Sequence, residues 1–322
     1  MKTSCFAVMG AIVLFGSPAL AQNKDTGPGA SSATSGAHGS IWQGGLELSV
    51  TPRIGRQQPF DTSEDVVDES ETELVLSFKR PNTVGSLPLA LKAGLTWSPQ
   101  YFDDSDPQSG IYGEIGVGDS YLPLSRLAFR RGTAAPTAID DGFRPYASYR
   151  YTSVRQAFLD ARVRDEHQIT AGLRYRDIRS IMCQPNAVEG VTPCGTDPGV
   201  SWEARAEVKQ IWSSDPAEER TAPSVRADLI SRPRAGGIRF FARAQVEARF
   251  YDSARASPSG EHRQDWILRL TPGINLTGLI QHWLRGPELE LGGQLQRRWS
   301  NDPGRRNTRF YFVPSLSFSG SF

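Results

Sequence analysis

Between Ile238 and Tyr251 the chain reads IRFFARAQVEARFY, and its two parities separate. Ile238, Phe240, Ala242, Ala244, Val246, Ala248 and Phe250 stand on one side; Arg239, Phe241, Arg243, Gln245, Glu247, Arg249 and Tyr251 stand on the other. Side chains alternate across a strand, so a period of two held this long fixes an extended strand with one apolar and one polar face. Soluble strands usually stop after about five or six residues. Phe240 and Phe250 are ten positions apart on the apolar side, the reach of a tilted strand through a bilayer. SWEARAEVKQIW, 201 to 212, repeats the scheme: Trp202, Ala204, Ala206, Val208 and Trp212 oppose Glu203, Arg205, Glu207 and Lys209, with Gln210 as the exception. Trp202, Trp212, Phe240, Phe250 and Trp299 are expected to form aromatic girdles bordering an apolar band.

The same period runs along most of the chain, with Val75 as one interruption, and no helical period competes with it. A soluble β-sandwich also alternates, but its inner faces must fill a core with large aliphatic residues. Here the apolar parity is rich in Ala and Gly with aromatics at its ends, while the polar parity carries both signs of charge. That combination suits a lipid-facing exterior and a wet interior. The fold expected is all-β, a transmembrane antiparallel up-and-down barrel.

The beginning of the chain supports export. Lys2 precedes an apolar run from Cys5 to Gly16, and Ser-Pro-Ala-Leu-Ala at 17 to 21 offers a signal-peptidase site before Gln22. Residues 1–21 read as a signal peptide, 22–42 as a small-residue, polar leader with no fixed structure, and 43–322 as the barrel. A net charge of +1 argues against a nucleic-acid partner. Cys183 and Cys194, in CQPNAVEGVTPC, read most simply as a disulfide in an oxidising compartment; two thiols without a nearby histidine do not make a metal site. No metal or other cofactor is expected.

The last thirteen residues, FYFVPSLSFSGSF, alternate again, with Phe310, Phe312, Leu316, Phe318 and Phe322 on one parity. An aromatic-ended final strand resembles the carboxy-terminal signal of bacterial outer-membrane β-barrels. The resemblance implies a Gram-negative outer membrane, with the barrel-assembly machinery, periplasmic chaperones, outer-membrane lipid and lipopolysaccharide as partners. Over about the last sixty residues, Arg263-x-Asp265, Gly273-x-x-Leu276 and Arg298-Trp299-Ser300-Asn301 resemble the porin-like barrels associated with polysaccharide export.

Fourteen strands would return both ends of the barrel to the periplasm: 44–53, 71–80, 88–98, 109–118, 122–131, 143–152, 155–164, 167–178, 201–212, 223–232, 238–251, 263–275, 286–299 and 308–320. Twelve strands are the alternative, and could carry the cysteine segment to the outer side. On the polar parity, Arg162, Arg174, Arg176, Arg205, Glu207, Arg226, Arg239, Arg243, Glu247, Arg249, Arg269 and Arg309 are the candidate lumen-lining residues. They point to a porin-like channel for small polar or anionic solutes. Charges that merely pair between strands would instead suit a closed structural or assembly barrel linked to polysaccharide or lipid export.

A hydrolase is the third reading. Only His167, His262 and His282 lie beyond the leader. Asp165-x-His167 is similar to the acid–histidine pair of the omptin proteases, but His167 sits on the apolar parity and the second acidic pair is missing. No residue is assigned a catalytic role. The seven carboxylates between Asp61 and Glu73, with three more in FDDSDPQSG, read first as solvated outer loops.

Overall fold

The computed structural model describes residues 43–59, 65–68, 71–84, 87–98, 108–118, 142–156, 162–177, 199–232, 237–280 and 287–321. Its strands are β1 (Gln43–Thr51), β2 (Ile54–Pro59), β3 (Asp65–Asp68), β4 (Glu71–Val84), β5 (Leu87–Ser98), β6 (Gln108–Val117), β7 (Gly142–Arg155), β8 (Arg162–Asp177), β9 (Val200–Ser213), β10 (Arg220–Ser231), β11 (Arg239–Arg255), β12 (His262–Asn275), β13 (Pro287–Ser300) and β14 (Asn307–Ser321). Each strand from β4 onward pairs antiparallel with the next, and β1 pairs with both β4 and β14. The sheet therefore closes on itself.

Fourteen strand segments make only twelve staves. Val50 faces Leu316 and Ile54 faces Phe312, so β1 and β2 follow β14 in one unbroken register, interrupted at Pro52 and Arg53. Proline has no amide hydrogen to give to a ladder, which accounts for the break. Likewise Thr51 faces Glu71 and Ile54 faces Asp68, so β3 and β4 are one stave. The barrel is twelve-stranded, and the expectation of fourteen is corrected at two places. Residues 155–164 are no strand of their own: Arg155 ends β7 and Arg162 begins β8. The span 122–131 lies outside the described residues, and β6 pairs directly with β7 from Ser109↔Arg155 to Val117↔Ala147, leaving no place between them. The run at 155–164 does alternate, with Ala157, Leu159, Ala161 and Val163 on one parity, but period does not report which strand a segment pairs with.

An even stave count puts Gln43 and Ser321 at the same end, called here the near end. The connection from Asp177 to Gly199, which contains Cys183 and Cys194, also leaves from the near end. The twelve-strand count does not move it to the far end, because both surplus strands precede it. The two cysteines themselves, the leader, His282 and Phe322 lie outside the described residues.

Two of the far-end connections, β9 to β10 and β13 to β14, are tight and locally capped. Asp215 accepts a hydrogen bond from the Ala217 amide at 3.0 Å before Pro216–Glu218, and Asp302 accepts one from the Gly304 amide at 3.2 Å before Pro303–Arg305. Such Asx caps satisfy amides that the ladder leaves open. At the near end a short helix, α1 (Thr277–Ile280), follows β12.

Inside the barrel, three aromatic side chains lie over glycines directly opposite them: Tyr112 over Gly94, Tyr146 over Gly172 and Phe241 over Gly273. A Cβ on these glycines would stand 2.4, 2.7 and 2.3 Å from the respective ring atoms. Glycine is required here by close approach. Val75, the interruption in the sequence pattern, faces inward opposite Gly94 and is buried.

Candidate functional site: the inner face of the barrel

The barrel is inside-out relative to a soluble protein. Leu74, Ile111, Ile115, Val163, Ile169, Val208, Val225, Leu229, Val246 and Phe312 are all exposed, and the residues between them in sequence turn inward. Water would not leave such a belt uncovered. Trp202, Phe240 and Phe143 border it at the near end, and Trp212, Phe250, Trp266 and Trp299 at the far end, all exposed. Ten residues of β9 separate Trp202 from Trp212, which at a ~40° tilt spans about 25 Å, the height of an apolar membrane band. Gln210 does face this surface, where the Thr221 hydroxyl donates to its side-chain oxygen. That pairing removes the cost of an unsatisfied amide oxygen in an apolar setting.

Charge is concentrated on the opposite face. Arg174, Arg176, Arg205, Glu207, Arg226, Arg239, Arg243, Glu247, Arg249, Arg269 and Arg309 alternate with the exposed apolar residues and turn inward. Arg162 stands apart. A register irregularity between Val154 and Arg155 leaves it exposed at the far rim, where it pairs with Asp165.

Each of several carboxylates holds two guanidiniums. Glu203 binds Arg176 and Arg205. Asp228 binds Arg226 at 2.7 Å and Arg243 at 3.5 Å. Glu247 binds Arg249 and, at 3.1 Å, Arg269. Asp265 binds Arg298 and, at 3.5 Å, Arg263. Glu290 joins the second group through Arg243 at 2.7 Å. Four of these contacts run along one strand between positions two apart, where side chains share a face; four cross to a neighbouring strand, and Arg243 reaches past β12 to Glu290 on β13.

The β5–β6 wall is built differently. Its inward positions are Ala90, Lys92, Gly94 and Thr96 on β5 and Gly110, Tyr112, Glu114 and Gly116 on β6. Tyr112 donates to Glu73 at 2.6 Å, and Arg150 lies over the Tyr112 ring while donating twice to Glu114. Next to it is a polar cavity of about 140 Å³, lined by Glu114, Tyr146, Arg150, Arg205, Glu207 and Lys209 among others.

No family model and no curated protein matches the sequence. Solved structures do. The chain is similar to an outer membrane channel from Pseudomonas putida F1, with TM-score 0.45, 10% identity and coverage of 91% of this chain and 100% of the other. It is similar to the beta domain of the Bordetella autotransporter BrkA, with TM-score 0.40, 13% identity and coverage of 86% and 99%. It is also similar to LpxR from Salmonella typhimurium, with TM-score 0.39, 9% identity and coverage of 85% and 99%. These likenesses concern the fold.

The chain folds as an outer-membrane-type β-barrel. Of the residues behind its porin-like resemblance, Arg263, Asp265, Arg298 and Asn301 converge on one far-end clasp, while Gly273 and Leu276 lie toward the near end. Arg263 and Arg298 meet on Asp265, Arg263 covers the Tyr251 ring at 3.5 Å, and Asn301 bonds the backbone of β12 through both ends of its amide. Phe310 and Phe312 are exposed on the outer face, while Leu316 and Phe318 face Val50 and Leu48 where β14 closes the sheet. His167 is turned outward, its Nδ1 2.8 Å from the Tyr149 hydroxyl and its ring against Tyr151. His262 is exposed at the start of β12. Among the described residues no group of three or more His, Cys, Asp or Glu could hold a metal ion.

Sequence reading missed Arg144 and Arg150 as inward residues, although Phe143, Pro145, Ala147, Tyr149 and Tyr151 alternate around them and supply the signal. It also missed the sharing of single carboxylates, which depends on strand register and carries no sequence signature.

Proposed function

We propose that this protein is an outer-membrane channel through which small polar solutes pass, with a preference for anions. The observation carrying this reading is the two-to-one ratio of guanidinium to carboxylate in the inner-face groups around Glu203, Glu247 and Asp265. Each of these three groups keeps a net positive charge, while the group around Asp228 is balanced by Glu290, so pairing does not neutralise the wall. A low-dielectric barrel wall focuses that field on whatever occupies the bore. Arg226, with 45% of its side chain exposed against 31% for Arg243 and 21% for Arg205, is where a solute would meet it first.

In this reading residues 1–21 direct export, the barrel-assembly machinery inserts the chain, and Cys183 and Cys194 form a disulfide in the near-end connection. The test is planar-bilayer conductance of the refolded, signal-free protein under a salt gradient. Discrete steps with a reversal potential favouring chloride over potassium support the channel. A folded barrel that stays silent, or that favours potassium, overturns it in favour of a closed structural barrel or a cation pore respectively. The disulfide is tested separately by alkylation: the intact protein should take up label at both cysteines only after reduction.

A further inference from the structure

One row of inward residues runs directly across eight strands with no acidic member. Arg144 on β7 faces Arg174 on β8, which faces Arg205 on β9, which faces Arg226 on β10. Arg226 faces Gln245 on β11, then come Arg269 on β12, Gln296 on β13 and Arg309 on β14. Six arginines and two glutamines thus stand side by side; Arg174 is buried at 1% exposure, so the members a solute can reach are the other five arginines and the two glutamines. Like charges placed directly opposite each other destabilise a sheet. The neighbouring row on the near side holds both signs, as Arg176 faces Glu203 and Asp228 faces Arg243, although Glu203 and Asp228 also face each other. Four arginines in succession with no carboxylate among them go further against the local preference, and such a departure marks a candidate functional site.

The row also spans the barrel lengthwise. Arg144 is the third residue of β7 from the near end, Arg205 the sixth of β9, and Arg309 the third of β14 from the far end. Strands tilted by ~40° turn a lateral row into an inclined one, and seven steps of about 4.8 Å climb roughly 20 Å of the band. The carboxylates bonded to these arginines, Glu203, Asp228 and Glu247, lie in the rows on either side. They hold the guanidiniums in place and leave the track itself cationic.

We infer that this row is a track for a linear polyanion, and that the polyanion is an acidic oligosaccharide with a carboxylate on successive sugars. The inference rests on the channel reading and names its substrate class. A single small anion needs one guanidinium pair; an end-to-end row offers the next site before the last is released. The glutamines favour a sugar over a polyphosphate or an acidic peptide. Gln245 and Gln296 flank Arg269, which donates to both amide oxygens at 3.4 and 2.9 Å. From Arg226 to Arg309 guanidinium and amide therefore alternate, which suits a chain whose carboxylates alternate with hydroxyls. Bidentate pairing of each carboxylate to arginine sets the register.

The experiment adds galacturonate oligomers of one to six units to the conducting channel and measures blocking events, with equilibrium binding to the detergent-refolded barrel measured in parallel. Block and affinity should both rise with oligomer length. Arg226→Gln, at an accessible position, should weaken hexamer binding by roughly threefold or more, and adding Arg309→Gln should compound the loss. Arg297→Gln, on the outer face beside Trp299, should change nothing. A silent barrel that still binds oligomers with length dependence refutes the channel and keeps the track. A conducting channel with equal affinity for monomer and hexamer refutes the track, and tighter binding of tripolyphosphate or hexaglutamate than of the hexamer refutes the sugar.

Discussion

Replacing Glu203 by Gln should destabilise the barrel and raise its anion preference together. Glu203 joins Arg176, which has no exposed side-chain surface, to Arg205, which has 21%. The two arginines respond differently to its loss. Arg176 would keep its charge with the Glu203 carboxylate gone and water excluded, and removing one partner of a buried pair costs about 3–5 kcal/mol. Arg205 can turn toward water, so its share is below about 1 kcal/mol. Glutamine keeps one acceptor oxygen but aims an NH2 group at a guanidinium, so about 3–4 kcal/mol is expected in all. Urea unfolding in lipid vesicles, followed by tryptophan fluorescence, measures it. Glu218→Gln is the control, because Glu218 pairs with Arg220 at an exposed far-end turn and should cost under about 1 kcal/mol. Removing one negative charge from the wall should also shift the reversal potential further toward chloride. A loss no larger than that of Glu218→Gln would refute the claim that the inner-face groups are dry and mutually dependent.

Three further substitutions examine other parts of the architecture by the same unfolding measurement. Val225→Arg places a charge at the middle of β10, on a residue that is 60% exposed, and should cost about 2–4 kcal/mol, whereas Phe143→Arg near the girdle should cost about 0–1 kcal/mol; equal costs would remove the membrane band from this face. Gly94→Val forces atoms into the Tyr112 ring and should cost about 1–3 kcal/mol, with Tyr112→Ala in the same chain relieving the clash. Thr221→Val takes away the hydroxyl that pairs with Gln210 on the outer face and should cost about 1–3 kcal/mol, unless Gln210 reaches the interfacial water.

Much of the fold was legible because a membrane barrel writes one rule on every stave. The runs at 201–212 and 238–251 alternate for β9 and β11 as the structure has them, and their aromatics fall on the outer face. The exceptions turned out to have physical reasons: Val75 fills space beside Gly94, and Gln210 is bonded by Thr221. The stave count was less legible. Ala157, Leu159, Ala161 and Val163 alternate as well as any strand, yet the register passes from Arg155 to Arg162 without a further stave. Alternation is a property of single segments, whereas stave count is a property of pairings.

The same distinction separates what could be read of the inner face from what could not. Parity identified Arg174, Arg205, Arg226, Arg269 and Arg309 as inward residues one at a time, and nothing in the sequence relates Arg174 to Arg205 or Arg269 to Arg309. Their alignment appears only once the six pairings from β8 to β14 fix the registers, among them Arg174↔Arg205, Arg205↔Arg226, Gln245↔Arg269 and Gln296↔Arg309. A shift of one residue in any of these pairings would send an arginine to the lipid face, and a shift of two between β8 and β9 or between β9 and β10 would set one opposite Glu203 or Glu207. The carboxylate-free row is therefore held by the hydrophobic alternation itself. The cost of exposing arginine to lipid fixes the parity, and the turn chemistry at Asp215 and Asp302 fixes the remaining choice in steps of two. If the row is a track, lengthening the turn at 214–219 by two residues should leave a folded barrel whose arginines face carboxylates between β9 and β10, with length-dependent oligomer binding lost. A barrel that refolds with that insertion and binds the hexamer as before would show that individual arginines, rather than their alignment, do the binding.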